Sequence, residues 1–537
     1  MSFPRISLAL SVLACAVLHP SSLLAQGTER ASVDSAGAES YFSPFDDPAI
    51  SADGNFVAFS SNDFGLVPGD TNGVSDIFVR DRAAGLTTRV SVDTAGFEGN
   101  NTSFRPDISG DGRYVTYASY ATNLVVGDSN GLADIFLHDR LTGITSRISV
   151  DSFGTEANSA SEKAEISADG TTVAFFSFAT NLVAGDTNGA FDCFVHEIAT
   201  GLTTRVSISS GGVEANAMCG SFFPDISADG RFVTFDSYAD NLVLGDTNGY
   251  WDIFVHDRMT GLTTRASVST AGVQGNGDSI SPSISDDGNQ VAFFSFASDL
   301  VAGDTNVAQD CFVHDRTTGV TTRVSVDSGG IEGEYDSSAA VISGDGTVVA
   351  FISPSTNLVA GDTNAALDVF VHEISSGITT RASLTNGGAQ ANSSSNSPDI
   401  SADGKMVAFT SSATNLVTGD TNGLSDVFVR DRNPGPPGPI LTVSGACGGF
   451  MDFDVTGATP GGSLALFSGP PGVFVKPGPP CLGLTLDISP PTLRILLIAD
   501  AAGTASLAGV FVPAAACGLG VQVVDITACM PTGMVVL

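Results

Sequence analysis

Lysine is almost missing from this chain: Lys163, Lys405 and Lys476 are its only three, and lysine and arginine together number 22 against 58 aspartates and glutamates. A formal charge of -36 repels phosphate backbones and anionic bilayers, so nucleic acid is not an expected partner, and cations or cationic surfaces fit better. Charge is scarce overall as well, 15% of residues against 42% hydrophobic, so the chain lacks the composition of a disordered polyanion and is long enough to bury a large core. Beyond the first 25 residues no apolar run approaches the ~20 residues that cross a bilayer, and no membrane span is expected. G-x-S-x-G and H-E-x-x-H are both absent, and no nucleophile stands beside a base in the sequence. That leaves open a site assembled in space from distant residues.

The chain begins with Arg5, the apolar run ISLALSVLACAVL and a polar stretch ending at Ala25, the layout of an export signal. A second reading takes VLAC as a lipoprotein box with Cys15 lipidated, which would leave a greasy stretch behind the cut. Either way the protein is expected to be exported: periplasmic, cell-surface or extracellular.

Most of the remaining chain is repetition. GDTNGVSDIFVRD, residues 69 to 81, returns as GDSNGLADIFLHD, GDTNGAFDCFVHE, GDTNGYWDIFVHD, GDTNVAQDCFVHD, GDTNAALDVFVHE and GDTNGLSDVFVRD. The turn phrase ISADG and its variants place an Asp at 53, 111, 169, 229, 287, 345 and 403. A period this long, filled with short strands and turn signals, predicts a propeller or an array of small sheets. Four strands fit each period. RPDIS leads through Asp-Gly, a hairpin signal, into RYVTYAS; DIFLHD is the third strand, and Thr-Gly turns it into the fourth, TSRISVD. The middle two are apolar on both faces, as strands packed between neighbours are. The fourth alternates, Val90 and Val92 one way and Arg89, Ser91 and Asp93 the other, and is expected to be a half-exposed outer strand.

The two ends of the array predict a closed ring. TERASVD at 28 to 34 matches the outer strand TTRVSVD at 87 to 93 but precedes the first unit, while the seventh unit stops at VFVRDR without an outer strand. The N-terminal segment most simply supplies it, removing exposed sheet edges. The pattern IS-x-DG-x-x-VAF followed by D-I/V-F-V-x-D-x-x-TG-x-T-x-R-x-S, over residues 28 to 432, resembles the repeats of TolB-like propellers, relatives of WD-type blades. The resemblance implies an all-β, seven-bladed β-propeller of four-stranded blades and, for many members, binding to other proteins; it implies no one reaction. The chain departs from that pattern in the long ATNLV-x-GDTNG segment between second and third strands.

The domains so read are a signal peptide at 1–25, the propeller at 26–432, the stiff linker NPGPPGP at 433–439 and a C-terminal domain at 440–537. Short apolar strands between Gly and Pro turns predict a small β-sandwich for the last, which looks like modules appended to exported bacterial proteins. Its Cys447, Cys481, Cys517 and Cys529 are expected to pair in an exported chain. A Cys517 to Cys529 bridge is disfavoured, since a strand over GVQVVDIT holds its ends ~30 Å apart where bridged Cα atoms lie ~6 Å apart. Cys447 and Cys481 would then each bond one of the other two.

Antiparallel strands alternate direction, so the tight ADG and TG turns fall on one face of the ring and the long connections on the other, where binding function is expected. That loop-rich face holds the acidic phrase and a second one, GFEGN, GTEAN, GVEAN, GVQGN, GIEGE and GAQAN. In the acidic phrase a hard cation such as calcium would take oxygens from Asp70, Asn72 and Asp76, with a carbonyl near Val74 and water. The equivalent sets are Asp128, Asn130 and Asp134; Asp186, Asn188 and Asp192; Asp246, Asn248 and Asp252; Asp304, Asn306 and Asp310; Asp362, Asn364 and Asp368; and Asp420, Asn422 and Asp426. The phrase lacks the third acidic position and terminal Glu of an EF-hand loop, and its Gly becomes Val307 and Ala365 in the fifth and sixth units. A polar turn, in which Asp and Asn bond their own backbone, accounts for the same residues.

His138, His196, His256, His314 and His372 share one repeat position, with Arg80 and Arg430 there in the outer units. A catalytic histidine is normally singular, so these are expected to pack and hydrogen-bond between blades. Arg30, Arg89, Arg147, Arg205, Arg265, Arg323 and Arg381 recur on the outer strand and are expected in salt bridges within blades. Cys193 and Cys311 replace Ile or Val and are expected to be buried; Cys219 is a loop thiol.

These features describe an exported, non-enzymatic binding or scaffolding protein that uses its loop-rich face, with calcium as a candidate stabiliser, a protein or glycan as partner, and a monomer as the expected state. One alternative is a carbohydrate-active hydrolase or lyase with carboxylates over the central channel; another is a surface adhesin or structural component. Unlike, unpaired acidic and basic residues at the channel mouth would favour the enzyme. Seven equivalent loops around a bland channel would favour binding.

Overall fold

The computed structural model describes residues 27–43, 47–220 and 223–432 in full, and the backbone of strands between residues 440 and 536. Its two compact units are Ala25–Asn433 and one that includes Pro434–Leu537. All regular structure among the described residues is β. No helix among them is long and apolar enough to cross a membrane.

The first unit is a seven-bladed propeller of four-stranded antiparallel sheets. The second blade is typical, with strands Ser103–Ile108, Tyr114–Ser119, Asp134–Asp139 and Ile144–Arg147. Its middle strands are buried on both sides, and where they pair, Tyr117 stacks on Phe136 with ring centroids 6.0 Å apart. The same aromatic pair recurs in every blade, from Phe59 and Phe78 in the first to Phe409 and Phe428 in the seventh. The stacks fill a core shared between neighbouring sheets. The fourth strand is shorter than expected, ending at Arg89 in the first blade, and Ser91 beyond it is fully buried. Its polar side points into a charged cluster and not into solvent.

Ring closure is as the sequence implied. Thr28–Arg30 pairs antiparallel with Asp426–Asp431, placing Thr28 opposite Arg430, Glu29 opposite Val429 and Arg30 opposite Phe428. Ala31 then donates its amide to the Val427 carbonyl.

Blades are joined at three radii. Outermost, the Thr145 hydroxyl donates to the Val92 carbonyl of the preceding blade at 2.5 Å, and Thr203, Thr263 and Thr321 do the same to Val150, Ile208 and Val268. The histidines support this link: each imidazole Nδ1 lies 2.9 Å from the hydroxyl of that threonine, as in His138 with Thr145. At mid-radius, Gly112 of the Asp-Gly turn has φ 70°, and a Cβ there would sit 2.1 Å from the Phe56 ring of the preceding blade. Innermost, the seven turns bond to one another in a closed circuit. Ala52 donates to Gly110, Gly110 to Ala168, Asp169 to Ala228, Ala228 to Asp286, Asp286 to Gly344, Asp345 to Ala402, and Ala402 back to Ala52. One end of the central channel is therefore laced by backbone.

The C-terminal unit contains a three-stranded sheet (Ile440–Gly445, Phe450–Thr456, Ala505–Phe511), a larger one built on Ser463–Gly469, Thr492–Ile498 and Gly520–Asp525, and the hairpin of Pro471–Val475 with Thr485–Ile488. Gly520–Asp525 is the strand expected between Cys517 and Cys529. The four cysteines themselves, the signal segment 1–25 and the linker 433–439 lie outside the described residues.

Deleting residues 27–34 would expose the third strand of the seventh blade and remove the Arg30 ion pairs, a loss of several kcal/mol from a fold typically stable by ~5 to 15 kcal/mol. The truncated protein is expected to melt well below the intact one; melting within a degree or two of it would overturn the closure.

Candidate functional site

On the loop-rich face each long loop folds around an arginine. In the first blade the Arg89 guanidinium lies 3.4 Å from Asp70, 3.4 Å from Asp76 and 2.9 Å from Glu98. Glu98 belongs to the second repeated phrase and accepts from both the amide and the hydroxyl of Thr71, so the two phrases form one structure. Asp76 accepts from the buried Ser91 hydroxyl at 2.5 Å and from Asn72 Nδ2 at 2.8 Å. The cluster recurs on Arg147, Arg205 and Arg323, and Arg30 builds it in the seventh blade with Glu39, Asp420 and Asp426. In the fourth and sixth blades Gln274 and Gln390 stand in for the glutamate.

The Asn of each expected metal set has its two ends committed. Asn72 Oδ1 accepts from the Val74 amide, closing the turn, and its Nδ2 reaches Asp76 and the Gly99 carbonyl. Asn130, Asn188, Asn248, Asn306, Asn364 and Asn422 close the same turn. The turn requires the left-handed conformation at its next residue, and Val307 and Ala365 adopt it with φ of 59° and 51° where other blades have glycine. The oxygens left for a cation are carboxylate oxygens. Asp70, Asp128, Asp186, Asp304, Asp362 and Asp420 each keep a buried oxygen with no hydrogen-bond partner. Burial, then the neighbouring Asp76, pushes Asp70 up to about 6. Glu39 is held down to about 2 by the hydroxyl and amide of Thr421.

The central channel is the part sequence reasoning missed. A cavity of about 710 Å³ runs between the first strands of the blades. Asp107, Glu165, Asp225 and Asp399 occupy one repeat position there, with Ala49, Ser283 and Val341 in the other blades. The innermost strands do not pair with each other, so their amides need acceptors: Asp107 takes the Ile166 amide of the next blade at 2.6 Å, Asp225 that of Ile284 and Asp399 that of Ile50, both at 2.7 Å. Glu165 differs, making a side-chain hydrogen bond with Asp107, and burial followed by that neighbour raises its pKa well above the ordinary range. Two residues earlier the strand bulges, putting Arg105, Lys163, Ser281, Ala339 and Ser397 at φ between 50° and 56°. Arg105 lines the cavity, pairs with Glu162 at 2.9 Å and lies 5.7 Å from the Phe104 and Phe223 rings. The signal in the sequence was departure from the repeat at residues 105, 107, 163 and 165.

Cys193 and Cys311 are buried, as expected, and so is Cys219, whose thiol faces the Ser237 hydroxyl at 3.3 Å. Burial pushes the thiols of all three up, which makes them poor nucleophiles.

No protein-family model and no curated protein matches the chain. Solved structures do. The chain is similar to a putative TolB from Agrobacterium tumefaciens (18% identity over 52% of this chain and 79% of that one, TM-score 0.32) and to TolB from Acinetobacter baumannii (13%, 64% and 82%, TM-score 0.32). It is also similar to an oligogalacturonate lyase solved with manganese (12%, 73% and 89%, TM-score 0.45). These likenesses are of fold alone.

Two sets of buried groups give stability opposite pH dependences. Burial pushes Asp225 and Asp399 up to about 7, so the stability they contribute is complete below their unfolded pKa of ~4 and is lost as pH rises through 7. Burial lowers the imidazoles, His138 to about 4, so these sites lose stability as pH falls below ~6.5, where the unfolded chain takes up the proton. The two trends oppose each other over the same span, from pH ~4 to ~7. Asp225→Asn with Asp399→Asn removes the falling trend and should make melting temperature gain more between pH ~4 and ~7 than it does in the wild type; an unchanged slope over that span would contradict the assignment.

Proposed function

We propose that this protein is an exported, non-enzymatic binding protein that engages its partner through the loop-rich face of the propeller. The observation that carries the reading is that the histidines, three of the channel acids and Arg105 are already engaged in structural bonds. The histidines are buried against threonines, the channel aspartates accept amides of the next blade, and Arg105 is paired with Glu162. The channel thus holds unlike acidic and basic residues, and their bonds are those of a scaffold. The ligand-facing loops are meanwhile fixed in place by seven arginine clusters, which suits a preorganised binding surface. Export rests on the signal-like segment at 1–25.

The test is orientation. A single biotin at Val126, fully exposed in a long loop, turns the loop-rich face to a streptavidin support; one at Leu141, 75% exposed in a tight turn, presents that face to solution. Capture of envelope proteins or glycans is expected from the Leu141 tether and not from the Val126 tether. Equal capture from both would remove the loop-rich face as the binding face.

Calcium is the stabiliser we propose for the arginine clusters. What supports it is that the buried Oδ1 of Asp128 and of Asp304 accepts no hydrogen bond and meets its arginine only at 3.8 and 3.6 Å, in the sets Asp128, Asp134, Glu156 and Asp304, Asp310, Glu332, whose ligand atoms lie within 4.8 Å of one another. Those residues would hold the ion, which would neutralise the charge left over after the arginine. Chelator is expected to lower the melting temperature of the wild type, and Asp128→Asn to reduce that effect. Identical melting with and without chelator would leave the arginine as the sole counter-ion.

A further inference from the structure

One repeat position breaks the sevenfold symmetry of the loop-rich face in half of the ring. The residue that follows the second strand is Tyr120, Phe178, Tyr238 and Phe296 in the second to fifth blades, but Asn62, Pro354 and Ser412 in the first, sixth and seventh. All four aromatics are exposed, by 38%, 41%, 50% and 55%. A solvent-facing ring is unremarkable alone; four at one position on four consecutive blades form an arc.

The arc is rigid. Each aromatic residue donates its amide to a carbonyl that precedes its blade's first strand: Tyr120 to Thr102, Phe178 to Ala160, Tyr238 to Met218 and Phe296 to Asp278, at 2.9 to 3.0 Å. Three have a second ring behind them. Tyr120 stacks on Phe104 at 5.5 Å, Phe178 meets Phe191 edge-on at 5.3 Å, and Tyr238 leans on Trp251 at 6.1 Å. Two residues beyond each ring a polar side chain is also held in place, by Asn100 with Thr122, Asn158 with Thr180, Asn216 with Asp240 and Asn276 with Ser298. Cavities adjoin the arc at both ends. Phe296 lines the channel cavity, Tyr120 lines a second one of about 600 Å³, and Arg105 lines both.

We propose that this arc binds an uncharged glycan chain, one sugar face on each aromatic ring; the proposal rests on the loop-rich face being the binding face. The C–H face of a sugar ring carries partial positive charge that an aromatic face attracts, as it attracts the edge of another aromatic. Its hydroxyl edge needs hydrogen-bonding groups beside the ring, which the Asn, Thr and Ser side chains supply. A protein hot spot has the opposite character, a contiguous dry cluster from which water is excluded. Neighbouring sheets pack ~10 Å apart, so a ligand that touches several rings must be extended and repeating. It should also be uncharged. A protein of charge -36 repels polyanions, and Arg105 at the inner edge is already neutralised by Glu162.

Affinity electrophoresis of the full chain in gels containing soluble neutral polysaccharides (α-glucan, β-glucan, mannan, xylan or galactan) tests this, with polygalacturonate as the charged control. At least one neutral polymer is expected to retard the wild type. Tyr120→Ala, Phe178→Ala, Tyr238→Ala and Phe296→Ala should each weaken retardation by about two- to tenfold, the worth of one aromatic contact. The quadruple variant should abolish it with unchanged melting, Tyr120→Phe should retain it, and Phe153→Ala, which removes a ring 96% exposed outside the arc, should have no effect. Retardation that survives in the quadruple variant, by polygalacturonate alone, or by none of the polymers would overturn the proposal. If it falls while capture still depends on the Val126 or Leu141 tether, the face stands and its ligand is a protein; if the tether dependence fails too, both readings fall.

Discussion

The rest of the loop-rich face depends on a guanidinium surrounded by carboxylates. Arg89 is about nine-tenths buried, as are its counterparts, and each meets two aspartates and a glutamate or glutamine. Removing the arginine from such a cluster leaves buried carboxylates uncompensated, typically a loss of about 3–5 kcal/mol. This explains why the aspartates, the arginine and the serine recur together: Asp76 holds the start of the third strand to Arg89 and Ser91 at the end of the fourth, while Glu98 ties in the connection to the next blade. Lysine is not equivalent to the arginine, because the second terminal nitrogen of Arg89 also donates to the Gly69 carbonyl while the first faces the carboxylates. Part of the chain's imbalance of charge is built here, since five of the clusters set three carboxylates against one guanidinium.

Closure of the ring was legible because it rests on local pattern. TERASVD at one end and a missing outer strand at the other are complementary in the sequence itself, and Thr28–Arg30 takes the place they imply. The blade boundaries were legible for the same reason, since Asp-Gly and Thr-Gly turns announce themselves. Arg89 was less so. Alternation on the fourth strand marked its polar side as exposed, because a period of two separates faces without saying what covers each; Glu98, nine residues on, covers this one.

The channel and its rim escaped for a different reason. Asp107, Asp225 and Asp399 stand where other blades have Ala, Glu, Ser or Val, so an alignment of the repeats treats them as noise. What selects them is a neighbour more than 50 residues away, an unpaired amide on the next blade, and that pairing exists only once the ring is closed. Tyr120, Phe178, Tyr238 and Phe296 are hidden in the same way. Each is a plausible loop residue in its own repeat, and only the packing of blade against blade sets the four side by side.

This bears on where function lies in a repeat protein. A residue present in all seven blades must suit seven equivalent positions, and the demands common to them all are structural: a stacked aromatic pair, a turn amide, an arginine cluster, a threonine bonded to the previous blade. A ligand without sevenfold symmetry cannot meet seven identical sites equally. Recognition therefore has to use positions where blades differ, and the aromatic and cationic differences lie at the end of the channel opposite the turns that lace it. The second to fifth blades carry the aromatic rim, and the second and third add the cations Arg105 and Lys163 on strained bulges. Strain at a bulge is retained only where the surrounding structure enforces it. The strain itself extends beyond the aromatic rim, to Ala339 and Ser397 in the sixth and seventh blades, so what sets this half apart is the pair of cations and the four rings it adds to a bulge that other blades share.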